Sequence, residues 1–214
     1  IAQTVDKVDV QAAGLNHFTW LLDIRDKRTG ENLYPLFAER WEKLAPSFEP
    51  LTRRVYRALG LFPVPGDEHL CEYLPWVSDP ITRPWDKYQI SLYDWDRFDA
   101  LRGDKHDLMA RMADGRESVA GLRQAGSEGA LEMIENMAGA GNHYHLAVNL
   151  PNRGYISNLP EGALVEVPGL VSGAGVMGVG VGPLPEPVAE LCRRELTVAR
   201  LCVDAAVHGD RQAA

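Results

Sequence analysis

The C-terminal end of the chain carries the pattern that most restricts its fold. Val188, Leu191, Cys192, Val198, Leu201, Cys202 and Ala205 recur at helical spacing as one apolar stripe, with Pro187 suited to position N1 and Gly209 to the end. A stripe of that length has to be covered by a second layer. The segment before it supplies one. Leu146, Val148 and Leu150 alternate with His145, Ala147 and Asn149, the period of a half-buried strand, and Pro151-Asn152-Arg153-Gly154 reads as a turn. Residues 155–168, with Ile156 and Leu164-Val165-Glu166-Val167, and the glycine-rich stretch 176–181 add two more strand candidates. Together the three predict a small antiparallel sheet.

Upstream the chain reads mainly as helix. Leu36, Phe37, Trp41 and Leu44 predict a helix within 32–44, stopped by Pro46. Leu51, Val55 and Leu59 predict a second, with Arg53, Arg54 and Arg57 between them and Gly60 at C′. Residues 99–126 are strongly charged and fit an amphipathic helix. Ala130, Leu131, Ile134 and Met137 predict another, with Ser127 as N-cap and Gly139 and Gly141 closing it. Trp20, Leu21, Leu22 and Ile24, bounded by the charged turn 25–30, read as a buried strand. Helices, then a strand block, then a helix predict one α+β domain, helices packed on a small sheet.

Composition removes several functions. A net charge of −8 speaks against a nucleic-acid surface, which depends on clustered Lys and Arg. No run approaches the roughly 18 to 20 apolar residues of a membrane span. Cys71, Cys192 and Cys202 are too sparse for a disulfide framework, so a cytoplasmic location is expected, with Cys192 and Cys202 as inert core thiols on the stripe. The chain opens at Ile1 and closes on Arg211-Gln212-Ala213-Ala214, which reads as one domain of a longer protein.

Chemistry concentrates in two places. Gly14-Leu15-Asn16-His17-Phe18-Thr19-Trp20 sets a carboxamide and an imidazole before an apolar run, and imidazole is the side chain that binds divalent metals or moves protons at neutral pH. The loop 66–73 adds Asp67, Glu68, His69, Glu72 and Tyr73, denser than a solvated turn requires, although an acidic loop with Asp67 capping a helix would read the same way. Trp76, Trp85, Tyr88, Tyr93 and Trp95 form either a sugar-stacking rim or ordinary core. His143 and His145 share a strand face, a spacing that either holds a metal or serves two hydrogen-bonded histidines.

These two stretches, extended to Leu74-Pro75, and a third, Val148-Asn149-Leu150-Pro151-Asn152-Arg153-Gly154-Tyr155-Ile156-Ser157-Asn158-Leu159-Pro160 with Val165-Glu166-Val167-Pro168 behind it, occur in the order seen in glycoside hydrolase family 4. The chain resembles the α-glucosidase, α-galactosidase and α-galacturonidase-like branch of that family over nearly its whole length. The resemblance implies hydrolysis by an oxidative route with NAD and a divalent metal, usually manganese. The sugar is oxidised at C3, a base removes the acidified C2 proton, the group at C1 is eliminated, water adds and the hydride returns. It implies His17 as metal ligand, Asn16 as a sugar or metal-shell contact, Asp67 as the base with Tyr73 as runner-up, and His69 and Arg153 as substrate contacts. It also implies a homodimer or homotetramer. No Lys/Arg cluster suits a 6-phosphate, which points to a non-phosphorylated sugar.

Two departures bear on that reading. Family members carry a Rossmann NAD domain ahead of this region and a cysteine as second metal ligand, and neither precedes His17 here. The expectation is therefore that 1–214 is the C-terminal substrate, metal and oligomerisation domain, inactive alone. Two other readings stay open: the C-terminal domain of a lactate/malate-type NAD-dependent dehydrogenase, which shares this architecture, and a non-catalytic carbohydrate-binding or assembly module.

Overall fold

The computed structural model describes residues 7–91, 94–120 and 129–210. Tyr93, Ser127 and Arg211, named above, lie outside them. Six strands form one sheet: β1 (Val8–Leu15), β2 (Phe18–Asp26), β3 (Phe62–Pro63), β4 (His143–Pro151), β5 (Leu164–Ser172) and β6 (Gly175–Gly178). The order is β3-β2-β1-β5-β4, with β6 added to β5, and every ladder is antiparallel. The helices are α1 (Tyr34–Glu42), α2 (Pro50–Leu59), α3 (Gly66–Tyr73), α4 (Trp95–Ala113), α5 (Ala130–Ala138) and α6 (Glu186–His208), with a 3-10 turn at Pro84–Tyr88. The α+β class follows from the sequence pattern, but the sheet has six strands where the sequence offers four strand candidates.

The reason lies at the N-terminus. Residues 8–26 are a hairpin, two strands rather than one, closed by the two-residue turn Asn16-His17 between the paired Leu15 and Phe18. Sequence alternation is weak there because the closed end is buried on both faces: Ala13, Gly14, Leu15, Phe18, Thr19 and Trp20 are all buried. Gly14 is required by the close approach of the strands, since a Cβ on it would stand 2.4 Å from the Phe18 carbonyl oxygen. Phe18, Trp20, Val165 and Val167 meet Leu51, Leu70, Val188 and Cys192 in one core.

Helix α2 shows how polar residues enter that frame. Arg53, expected among polar positions, is 7 % exposed. Its guanidinium donates to the carbonyls of Trp41, Leu44 and Ala45 at 3.3–3.4 Å and to Glu42 at 3.0 Å. It thus ties down the carbonyls at and just past the end of α1, where Trp41 also accepts from the Leu44 N–H and Ala45 from the Phe48 N–H. Phe62 of β3 lies edge-on to Phe37 and Trp41 of α1, locking the same corner.

Several expectations need correction. Residues 66–73 are helix α3, not a loop. Of the second strand candidate, 155–168, only 164–168 lies in a sheet strand, which runs on to Ser172, although Ile156 bridges to Gly182. The C-terminal stripe is buried at Val188, Cys192 and Ala205, whereas Val198 and Leu201 are exposed. Burial pushes the Cys192 thiol up to about 12, so it is inert; Cys202, expected in the core, is exposed. Helix α4 starts at Trp95, capped by Asp94, and no residue of it is buried. Among the described residues no helix is long and apolar enough to cross a membrane.

Candidate active site

The β1–β2 turn and helix α3 converge. Asn16 and His17 are exposed, and His17 takes a left-handed conformation at φ 57°. On α3, His69, Glu72 and Tyr73 fall at i, i+3 and i+4 and therefore share a face. That face meets the turn. The imidazoles of His17 and His69 lie 4.3 Å apart between centroids, tilted by 38°. Glu72 sits 3.2 Å from His69 Nδ1. An ionised carboxylate only accepts, so the proton of a neutral His69 belongs on Nδ1 and leaves Nε2 as the basic nitrogen. The Tyr73 hydroxyl donates to the Asn16 carbonyl at 3.2 Å, and its ring stacks on Phe18 at 5.0 Å. Burial, then the negative charges of Glu72, Glu195 and Glu166, raise the Tyr73 phenol above its ordinary value. It is a proton donor in this state.

A third element joins from β5. Glu166 Oε2 accepts from Asn16 Nδ2 at 3.1 Å and Asn149 Nδ2 at 3.4 Å. Beside the cluster, a cleft of about 830 Å³ between α3 and α4 is lined by His69, Glu72, Trp85, Arg97 and Phe98 among others. His69 and Glu72 thus belong both to the cleft wall and to the turn contact. Of the aromatic candidates, Trp85 is buried in this wall; Trp76 is exposed and lies elsewhere.

Asp67 is put to a different use from the one expected. It is 7 % exposed, and its two oxygens accept from the backbone N–H groups of Leu51 at 2.9 Å and Thr52 at 2.7 Å. These are two donors of the first turn of α2, which Pro50 opens without an N–H of its own. Asp67 itself lies in the first turn of α3, so it joins the N-terminal ends of two helices. The plainer alternative, an exposed acidic loop capping a helix at Asp67, holds only in part: Asp67 is buried, and both its oxygens cap the preceding helix α2.

Arg153 is exposed after β4 and makes no side-chain hydrogen bond or ion pair with a described residue, so it does not join the cluster. Its neighbour Asn152 is buried and clamps the loop, donating to the carbonyls of Ile156 and Leu159 at 3.0 Å and accepting from Ile156 N–H. His145 meets Asn136 at 3.0 Å, the hydrogen-bonded reading of that strand histidine. The sequence reading missed Glu166 and the Glu72–His69 pair. Spacing of three on a helix was a usable signal for the pair; nothing local marks Glu166.

The donor set fits a divalent metal in part. His17 offers an exposed imidazole, but no group of three or more His, Cys, Asp or Glu suited to a metal occurs among the described residues. Cys71 is buried, with its thiol raised chiefly by burial. A metal at His17 would take further donors from outside this cluster.

The chain is 29% identical to an alpha-galactosidase of Rhizobium meliloti (strain 1021), over 95% of this chain and 43% of that protein. It is 27% identical to an alpha-galacturonidase of Thermoanaerobacterium saccharolyticum, over 96% of this chain and 47% of that one. The chain thus spans less than half the length of these relatives. Among solved structures it matches lplD of Bacillus subtilis, a candidate glucosidase, with a TM-score of 0.75 and 24% identity, covering 97% of this chain and 50% of that one. It also matches the Thermotoga maritima 6-phospho-beta glucosidase solved with manganese, NAD+ and glucose-6-phosphate, with a TM-score of 0.67 and 18% identity over 97% and 46% of the two chains. Residues 12–214 match the family 4 glycosyl hydrolase C-terminal domain, and the chain belongs to that family.

Proposed function

We propose that this chain is the substrate- and metal-binding half of an NAD- and divalent-metal-dependent glycosidase acting on an α-linked hexoside or hexuronide. The observation that carries the reading is the convergence of His17, His69 and Tyr73 where the hairpin turn meets α3, next to an open cleft. The galactosidase and galacturonidase relatives support the sugar class, and the manganese and NAD complexes of structural neighbours support the cofactors. Family membership sets the dehydrogenase reading aside.

His17 would hold the metal together with donors from outside the cluster, and the nicotinamide would bind in a region beyond this domain. When bound, the nicotinamide supplies a reversible two-electron oxidation of the sugar, and the cation supplies positive charge that acidifies the adjacent C–H and offsets the carboxylates around Tyr73. The residues here do the rest. Tyr73 takes the role of base at C2 as the phenolate, its own proton passing to solvent once the cation offsets the surrounding carboxylates. Its oxygen is held beside the Asn16-His17 turn by a single replaceable hydrogen bond. His69, with its tautomer set by Glu72, accepts from a sugar hydroxyl through Nε2. Asn16 contributes to the same wall. The exposed apolar residues Val198, Leu201, Val203 and Val207 on α6 fit burial in a homodimer or homotetramer.

The test is a His17→Ala variant in the protein carrying its NAD-binding region. It is expected to keep its melting temperature and to lose Mn²⁺-dependent turnover of nitrophenyl α-glycosides by at least about 100-fold, with Mn²⁺ binding weakened in parallel. Turnover whose metal dependence is unchanged rejects the assignment. A protein that binds sugar without turnover under any metal or NAD⁺ condition is instead a binding module.

A further inference from the structure

Glu166 stands where three strands join. On β5 it lies opposite Gly14 of β1 on one side and Asn149 of β4 on the other. Directly opposed residues of an antiparallel pair share a face, so the side chains of Glu166 and Asn149 lie on one side of the sheet while Gly14 adds none. Asn16, two residues past Gly14, completes the group. A single oxygen, Oε2, accepts both carboxamides, and Oε1 makes no hydrogen bond to a described residue. The Asn16 carbonyl meanwhile accepts from Tyr73. The residue just before His17 is thus fixed twice, by its side chain to the middle of the sheet and by its backbone to α3. These ties matter because the turn has only two residues, both exposed. A loose tip has to be ordered at the moment a ligand binds, which weakens binding; a fixed tip has been ordered by folding.

We propose that Glu166 is a positioning residue for His17, holding the Asn16-His17 turn in the orientation that receives a divalent cation. The inference rests on His17 being a metal ligand. Reach, not charge, is what the role requires: an acceptor oxygen delivered to Asn16 Nδ2 from the centre of β5.

Three substitutions separate these properties. Glu166→Ala removes the acceptor, Glu166→Gln keeps its reach without the charge, and Glu166→Asp keeps the charge but withdraws it by one methylene. Mn²⁺ affinity is measured by electron paramagnetic resonance titration, without sugar or NAD⁺, on the protein carrying its NAD-binding region, with His17→Ala alongside. Glu166→Ala and Glu166→Asp are expected to raise the Kd by about 10- to 100-fold, as removal of groups that orient a ligand does, and Glu166→Gln by no more than about threefold. If His17→Ala leaves the Kd unchanged, the metal reading itself fails. If His17→Ala weakens binding but Glu166→Ala and Glu166→Asp do not, this inference alone fails. A Glu166→Gln as weak as Glu166→Ala also overturns it, because charge would then be the operative property. Should Glu166→Ala not fold, the contrast between Asp and Gln decides the matter.

Discussion

Tyr73→Phe is expected to fold normally and to lose about 100- to 10,000-fold in turnover, the range set by removing a positioned base. The ring keeps its stacking on Phe18, so only the bond from its hydroxyl to the Asn16 carbonyl is lost. A hydrogen bond at a partly exposed site is worth about 1 kcal/mol, too little to unfold the domain. The decisive readout is isotopic. With a C2-deuterated α-glycoside, the wild-type protein should release deuterium to solvent, and Tyr73→Phe should not. Washout at the wild-type rate in the variant would remove Tyr73 from the role of base.

Asp67→Ala should show the opposite profile, a large loss of stability with the chemistry spared. Its two oxygens satisfy two buried backbone N–H groups of α2. Loss of a cap costs about 0.5–2 kcal/mol, and each buried donor left without a partner about 1–3 kcal/mol. A total of about 2–4 kcal/mol is expected, which for a domain of this size lowers the melting temperature by about 5–15 °C. Asp67→Asn keeps one acceptor oxygen and should cost about half as much. Denaturant midpoints should fall with the slope unchanged. At a temperature where Asp67→Asn remains folded, C2 exchange should persist. An Asp67→Asn protein of wild-type stability that has lost exchange would return the role of base to Asp67.

The contrast between these residues shows what was legible in the sequence. The acidic density of 66–73 is visible as composition, but what separates Asp67 from Tyr73 is contact with residues 16 and 57 positions away respectively. Asp67 reads as a reactive carboxylate until α2 is seen to begin on it. The helices over 34–42, 50–59 and 130–138 were legible because their apolar spacing is local. The hairpin was not, because burial on both faces near Asn16-His17 erases the alternation that announces a strand. Glu166 was illegible for a related reason. Its importance comes from register, with Gly14 on one side and Asn149 on the other, and register is a property of the assembled sheet. Arg153 illustrates the converse: it sits within a dense motif, yet the buried Asn152 beside it accounts for the loop.

The left-handed backbone of His17 sets two selective pressures against each other. A side-chain-bearing residue at φ 57° gives up about 1 kcal/mol that glycine would recover. Any procedure that enriches variants by thermal resistance alone should therefore drift towards His17→Gly, and each such gain would discard the imidazole. A library sorted for heat tolerance and then assayed for metal uptake should show the two traits trading off at position 17. Relieving the strained backbone at this hairpin tip would silence it.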